Sequence, residues 1–159
     1  MFFNFKKNKS KELKAPCSGE IIKIEEVNDP VFAQKMMGDG FAIKTTANTF
    51  HALGDGEISA IFPSNHAYGI TLNDGLEILV HIGLDTVEEN GKGFTCSHKL
   101  GDKVTAGEEI VTIDREYLES KGYDLTTMVI FTNPSTYTSF DCKYGEKVTA
   151  SEDVVASYK

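Results

Sequence analysis

Tyr68-Gly69-Ile70-Thr71-Leu72-Asn73-Asp74-Gly75-Leu76-Glu77-Ile78-Leu79-Val80-His81-Ile82 is the stretch whose reading decides the fold. Its second half alternates. Leu76, Ile78, Val80 and Ile82 share one face of a strand, and Glu77, Leu79 and His81 share the other. Asn73-Asp74-Gly75 is turn chemistry, so the two flanking runs read as adjacent antiparallel strands. The apolar face belongs to a core, which leaves His81 on the opposite side, close to the strand end at Gly83.

Working outward, the same grammar recurs. Gly19–Ile24, Phe41–Lys44, Gly56–Phe62, Glu109–Ile113 and Met128–Phe131 are short apolar runs, separated by Asn28-Asp29-Pro30, Gly38-Asp39-Gly40, Gly54-Asp55-Gly56 and Asn90-Gly91. Frequent short strands between glycine-rich turns predict an all-β protein, an antiparallel β-sandwich or barrel-sandwich hybrid. Only two short helices are expected, near Pro30–Met37 and Asp114–Lys121, the second capped by Asp114 and stopped by Gly122. An internal echo supports the hybrid. Lys99-Leu100-Gly101-Asp102-Lys103-Val104-Thr105-Ala106-Gly107-Glu108 resembles Lys143-Tyr144-Gly145-Glu146-Lys147-Val148-Thr149-Ala150-Ser151-Glu152, and Ala15–Ile22 parallels Ala52–Ile58. This pattern is similar to the duplicated hammerhead of biotinyl-lipoyl-type barrels, and it speaks to fold rather than to function.

The bulk numbers narrow the function. The chain has 159 residues, enough for one domain with a real core, and a formal charge of -8, which argues against nucleic-acid binding. Cys17, Cys96 and Cys142 are odd in number and far apart, so neither a disulfide framework nor a structural zinc site is expected; reduced thiols in a cytoplasmic protein are the plain reading. No apolar run approaches the ~20 residues that span a bilayer. Residues 1–14 hold five Lys and one Glu. They read as a flexible basic tail, followed by a single domain over 15–159. A basic, Phe-bearing tail fits weak contact with an anionic membrane surface; a solvated tail is the other reading.

Four histidines occur, at 51, 66, 81 and 98. A lone strand histidine is more often a satisfied structural residue, and for His81 the alternation alone leaves that reading open. His66 shares parity with Ile70 and Leu72. A bulge or a strand start is needed to turn it toward His81, although the hairpin sets the two residues side by side in the chain's path.

The order of motifs adds more. Asp29-Pro30-Val31-Phe32, Gly38-Asp39-Gly40, Asn65-His66-Ala67, Val80-His81-Ile82-Gly83-Leu84-Asp85-Thr86-Val87 and Gly91-Lys92-Gly93-Phe94 resemble the glucose-type enzyme IIA family of the bacterial sugar phosphotransferase system, over nearly all of Ala15 to Tyr158. The resemblance implies a phosphotransferase component that forms a phosphohistidine. His81 would accept phosphate from the histidine phosphocarrier protein HPr and pass it to the IIB domain of a sugar transporter. His66 would support the phosphoryl group. Ser64, where the family commonly has Thr, would orient His66 through its hydroxyl, and backbone near Gly83 would supply further donors. Asp29 and Asp85 match acidic positions flanking the site; as alternatives, Asp29 is a turn residue and Asp85 a helix cap. Val31, Phe32, Met37, Phe62, Leu79 and Val87 match an apolar docking patch, with Leu79 in place of a frequent Phe. No cofactor and no metal are implied, and a regulatory role stays open. The chain reads as free-standing, with Met1 as a natural start and no IIB or IIC sequence fused to it.

Two other classes were weighed. A lysostaphin-type zinc peptidase using His66, His81 and Asp85 lacks the expected His-x-His element. A biotinyl or lipoyl carrier needs a hairpin lysine, and Lys35-Met36-Met37 imitates that context poorly. His51 and His98 match nothing catalytic and are expected to be structural.

Overall fold

The computed structural model describes residues 11–133 and 137–159. Fourteen strands run in the order β1 Lys11–Lys14, β2 Gly19–Lys23, β3 Asp39–Thr45, β4 Thr49–His51, β5 Gly56–Ile61, β6 Ala67–Leu72, β7 Glu77–Ile82, β8 Phe94–Cys96, β9 Lys103–Val104, β10 Glu109–Ile113, β11 Thr127–Phe131, β12 Phe140–Cys142, β13 Lys147–Val148 and β14 Val154–Tyr158. Two short helices, α1 Pro30–Ala33 and α2 Arg115–Ser120, join them. The fold is the all-β antiparallel sandwich expected. An eight-stranded sheet, ordered β13-β2-β3-β11-β7-β6-β5-β9, faces two three-stranded sheets, β1-β14-β12 and β4-β10-β8.

The hairpin that decided the reading forms as expected. Strands β6 and β7 pair with Ala67 opposite His81, Tyr68 opposite Val80 and Ile70 opposite Ile78. The turn closes with Leu72 N–H donating to the Leu76 carbonyl at 2.8 Å, and Leu76 N–H donating to Asp74 Oδ1 at 3.1 Å. Ile78, Val80 and Ile82 enter the main core with Tyr68, Ile70, Phe41, Phe131, Phe50, Val111, Leu13 and Val155, so all three sheets contribute to it. β7 lies between β6 and β11, at the centre of the large sheet.

The other face of that sheet is not open to water. Ile22, Ala42, Ala67, Leu79, Met128 and Ile130 form a second apolar layer, covered by Ile24, Val27, Phe32 and Leu84. The cover is the segment around α1. Asp29 caps this helix by accepting from Val31 N–H at 2.9 Å, with Pro30 at its first position. It ends sooner than expected, because Lys35 turns left-handed at φ 59° and donates its N–H back to the Phe32 carbonyl. The second helix keeps its expected start, with Asp114 accepting from Tyr117 N–H at 3.1 Å.

The echo is structural. β13 pairs with β2, setting Val148 opposite Gly19 and Lys147 opposite Glu20; β9 pairs with β5, setting Val104 opposite Gly56 and Lys103 opposite Glu57. Both glycines are needed for close approach. A Cβ at Gly19 would lie 2.3 Å from the Lys44 carbonyl oxygen, and one at Gly56 would lie 2.3 Å from that of Thr71. The equivalent residues Gly107 and Ser151 meet, since a Cβ on Gly107 would stand 3.2 Å from Ser151 Cβ.

The boundary of the N-terminal tail shifts. Lys11–Lys14 pair with β14, and Leu13 is fully buried in the main core, so the four residues before Ala15 belong to the sandwich. Alternation was too short there to read. The rest of the tail, residues 1–10, with its expected lipid contact, lies outside the described residues. Among the described residues no helix is long and apolar enough to cross a membrane. Cys17 is buried, and Cys96 and Cys142 are partly so.

Candidate active site

His81 is the penultimate residue of β7, on the face of the sheet that carries the second apolar layer. Its Nδ1 lies 2.9 Å from the Gly83 carbonyl oxygen. A carbonyl only accepts, so Nδ1 carries the ring proton and Nε2 holds the bare lone pair. The fixed tautomer comes from the chain's path, since Gly83 has φ 80° and turns its carbonyl back beneath the preceding strand end.

His66 sits immediately before β6, and its carbonyl oxygen accepts from Ile82 N–H at 2.8 Å. The two imidazole centroids are 4.9 Å apart with planes at 83°. Strand parity would have turned His66 toward the core beside Ile82. The left-handed residue Asn65, φ 58°, breaks that parity just before the strand starts. His66 is only 2% exposed, and its Nδ1 lies 2.6 Å from Ser64 Oγ, itself buried. The Ser64 contact expected for His66 is therefore present.

Aromatic rings frame the pair. Phe32 lies 5.0 Å from the His81 ring, and Phe62 meets His66 edge-on at 5.5 Å. This apolar setting favours neutral imidazoles. Burial is the main cause that lowers the His81 pKa from 6.5 to about 4, helped by neighbouring His66; the Gly83 bond and the Asp29 charge oppose it. Burial also lowers the His66 pKa. Both rings are neutral at pH 7. A small cavity of about 300 Å³ opens beside His66, lined by Phe62, Pro63, Ser64, Val87 and Asn90.

The expected docking patch divides in two. Val31, Met37 and Val87 are exposed, as is Met36. Phe62 is partly buried. Phe32 and Leu79, in contrast, are 5% and 7% exposed. They pack beneath the site, because α1 lies over the sheet face that alternation leaves to solvent. Asp29 caps α1 and also raises the His81 pKa through its charge. Asp85 is exposed and left-handed at φ 59°, with no side-chain capping bond to the 3-10 turn Thr86–Glu89 that follows. Asp85 thus stands at the cap position of that turn through its backbone alone, its carbonyl accepting from Glu88 N–H.

The backbone near Gly83 also differs from expectation. Gly83 N–H donates to the Thr126 carbonyl at 3.1 Å and Leu84 N–H to the Asp124 carbonyl at 2.8 Å. These N–H groups are engaged, and what Gly83 offers the site is an acceptor. His51 and His98 hold turns elsewhere. His51 Nδ1 contacts the Gly107 carbonyl at 2.9 Å, and His98 bonds Ser97 Oγ and the Glu108 carboxylate. Among the described residues no group of three or more His, Cys, Asp or Glu is placed to hold a metal ion.

Comparison with known proteins agrees with this geometry. Residues 11–137 match the family described as phosphoenolpyruvate-dependent sugar phosphotransferase system, EIIA 1. The glucose-specific EIIA component of Mycoplasma capricolum is 43% identical over 96% of this chain and 97% of its own length. The glucose-specific EIICBA component of Streptococcus pneumoniae is 46% identical over 80% of this chain, which spans only 18% of that longer protein. The solved structure of glucose permease IIA from Mycoplasma capricolum superposes with a TM-score of 0.85 at 42% identity, covering 94% of this chain and 96% of that one. With two imidazoles facing one another on a matching sandwich, the chain belongs to the EIIA 1 family of the phosphoenolpyruvate-dependent sugar phosphotransferase system, a phosphocarrier family of sugar uptake.

Proposed function

We propose that His81 carries the phosphoryl group on Nε2, taking it from phosphorylated HPr and giving it to the IIB domain of a glucose-type sugar transporter in the cytoplasm. The observation that carries the proposal is the His81 Nδ1–Gly83 contact at 2.9 Å, which leaves Nε2 deprotonated beside His66.

In the first step the Nε2 lone pair attacks phosphorus in line. A new N–P bond forms as the N–P bond of the donor histidine breaks, and the electron pair returns to the donor ring. In the second step an acceptor thiolate on IIB attacks the same phosphorus, and His81 leaves as a neutral imidazole with Nδ1 still protonated. Both steps ask for positioning and for charge stabilisation rather than for further covalent chemistry. His66 supplies the latter. With Ser64 Oγ–H donating to Nδ1, the His66 proton resides on Nε2 and donates to the phosphoryl oxygens. Neutral rings suit both roles, since protonation at Nε2 would remove the nucleophile.

Asp29 and Asp85 would repel the phosphoryl group, so their part is to meet basic side chains of HPr and IIB at the rim, with Val31, Met36, Met37 and Val87 providing apolar contact. The fused relative from Streptococcus supports pairing with IIB, since its printed name joins IIC, IIB and IIA in one chain.

The test is phosphorylation from labelled phosphoenolpyruvate through purified enzyme I and HPr. Wild type should take acid-labile, base-stable label, and His81→Ala none. Label persisting on His81→Ala at the wild-type level would refute the assignment.

A further inference from the structure

We propose that Thr86 is a positioning residue for this phosphoryl transfer: it holds the loop that presents the Gly83 carbonyl to His81 and so sets which ring nitrogen is bare. The inference rests on His81 being the phosphoryl carrier, and it concerns how that histidine is kept ready.

The His81 tautomer depends on one peptide plane, the Gly83–Leu84 unit. Its carbonyl oxygen accepts from His81 Nδ1–H, and its N–H on the opposite edge donates to the Asp124 carbonyl at 2.8 Å. One residue back, Gly83 N–H is held by Thr126. These bonds are all backbone, and they tie the loop to the segment leading into β11. Thr86 supplies a side-chain restraint on the same loop. It is fully buried, and its Oγ1–H donates to the Ile82 carbonyl at 2.5 Å, closing residues 82–86 on themselves. Its methyl occupies the space beside the glycine, since a Cβ at Gly83 would fall 2.6 Å from Thr86 Cγ2. Hydroxyl and methyl thus both act on the backbone that leads into the carbonyl that His81 needs.

Opening this ring relaxes the bias on the imidazole without touching it. If the Gly83 carbonyl swings away, neutral His81 redistributes its proton between Nδ1 and Nε2, and each molecule with Nε2–H has lost its nucleophile. His66 has an independent tether in Ser64, so its proton position is unaffected.

The experiment reads ring nitrogen shifts of uniformly 15N-labelled, unphosphorylated protein at pH 7. Wild type should show His81 with one protonated nitrogen, Nδ1, and one bare nitrogen. In Thr86→Val, which keeps the shape and deletes the hydroxyl, the two His81 shifts should move toward each other. Thr86→Ala should behave likewise and serves if the valine variant folds poorly. Thr86→Ser should retain the wild-type pattern. The His66 shifts should stay fixed throughout and report that the site is folded. The initial rate of labelling by phosphorylated HPr should fall roughly 2- to 10-fold in Thr86→Val, the size of one hydrogen bond, with an unchanged KM for the donor. Wild-type His81 shifts in folded Thr86→Val and Thr86→Ala would overturn the proposal. Failure of wild type to take label would instead overturn the phosphocarrier assignment, because the ring shifts are read without phosphate.

Discussion

Two pairs of histidines occupy this sandwich, and they differ in their surroundings. His98 uses both ring nitrogens, on Ser97 Oγ and on the Glu108 carboxylate, while His51 uses Nδ1 alone, near the Gly107 carbonyl and Ser151 Oγ. His66 and His81 each use Nδ1 alone, on Ser64 and on Gly83, and among the described residues Nε2 of neither has a protein hydrogen-bond partner. The charge setting differs too. His98 stands against the Glu108 carboxylate, whereas His81 stands among Phe32, His66 and apolar neighbours, which favour neutrality. The lesson is that one fixed and one available nitrogen does not single out a pair, since His51 has that too; His66 and His81 are set apart by facing one another in surroundings that keep their rings uncharged.

That contrast can be broken by exchanging losses between the pairs. His66→Gln should still accept phosphate, yet onward transfer to IIB should slow about 100-fold or more, the typical effect of removing a donor aimed at a charged group in flight. His98→Gln should leave transfer rates at wild type and lower only the urea midpoint. Equal transfer by both variants would erase the distinction.

Acid offers a second way in. The His81 pKa falls from 6.5 to about 4 on folding. Between those values the unfolded chain binds more protons than the folded one, so stability rises with pH across the window and is lost as pH falls through it. Wild type should lose roughly 2 kcal/mol from this group by pH 4.5. His81→Ala, lacking the group, should lose correspondingly less, which urea melts at pH 7 and pH 4.5 will measure. A smaller effect is expected at Ser64. Ser64→Ala removes the hydroxyl that contacts His66 Nδ1, and onward transfer should fall roughly 2- to 10-fold, with acceptance from HPr nearly unchanged. Single-turnover transfer to IIB separates the two.

Much of this was legible in the chain, for identifiable reasons. Strand β7 alternates cleanly because one of its faces meets the main core, and Asp114 and Gly122 punctuate α2 as their chemistry requires. Strands such as β1, β4, β8 and β9 are two to four residues long, too short for a period to show. The position of His66 was hidden by one backbone dihedral at Asn65, which no side-chain pattern encodes. The depth of Phe32 and Leu79 was hidden because alternation cannot tell a face covered by α1 from an open one. Thr86 passed as part of a motif, since its bond to the Ile82 carbonyl exists only once the loop has closed.

The second apolar layer gives the large sheet a further property. β7 and its neighbour β11 are shielded on both faces, and every residue of Thr127–Phe131 is buried. Amides in such a pair exchange with solvent deuterium only through global opening, whereas those of the exposed residues Val87 and Glu88 exchange through local fraying. The His81 imidazole is therefore mounted on the slowest-exchanging part of the molecule, and the exposed rim beside it exchanges faster. A phosphocarrier that serves successive partners gains from that division, since the rim can adapt while the ring of His81 stays in register.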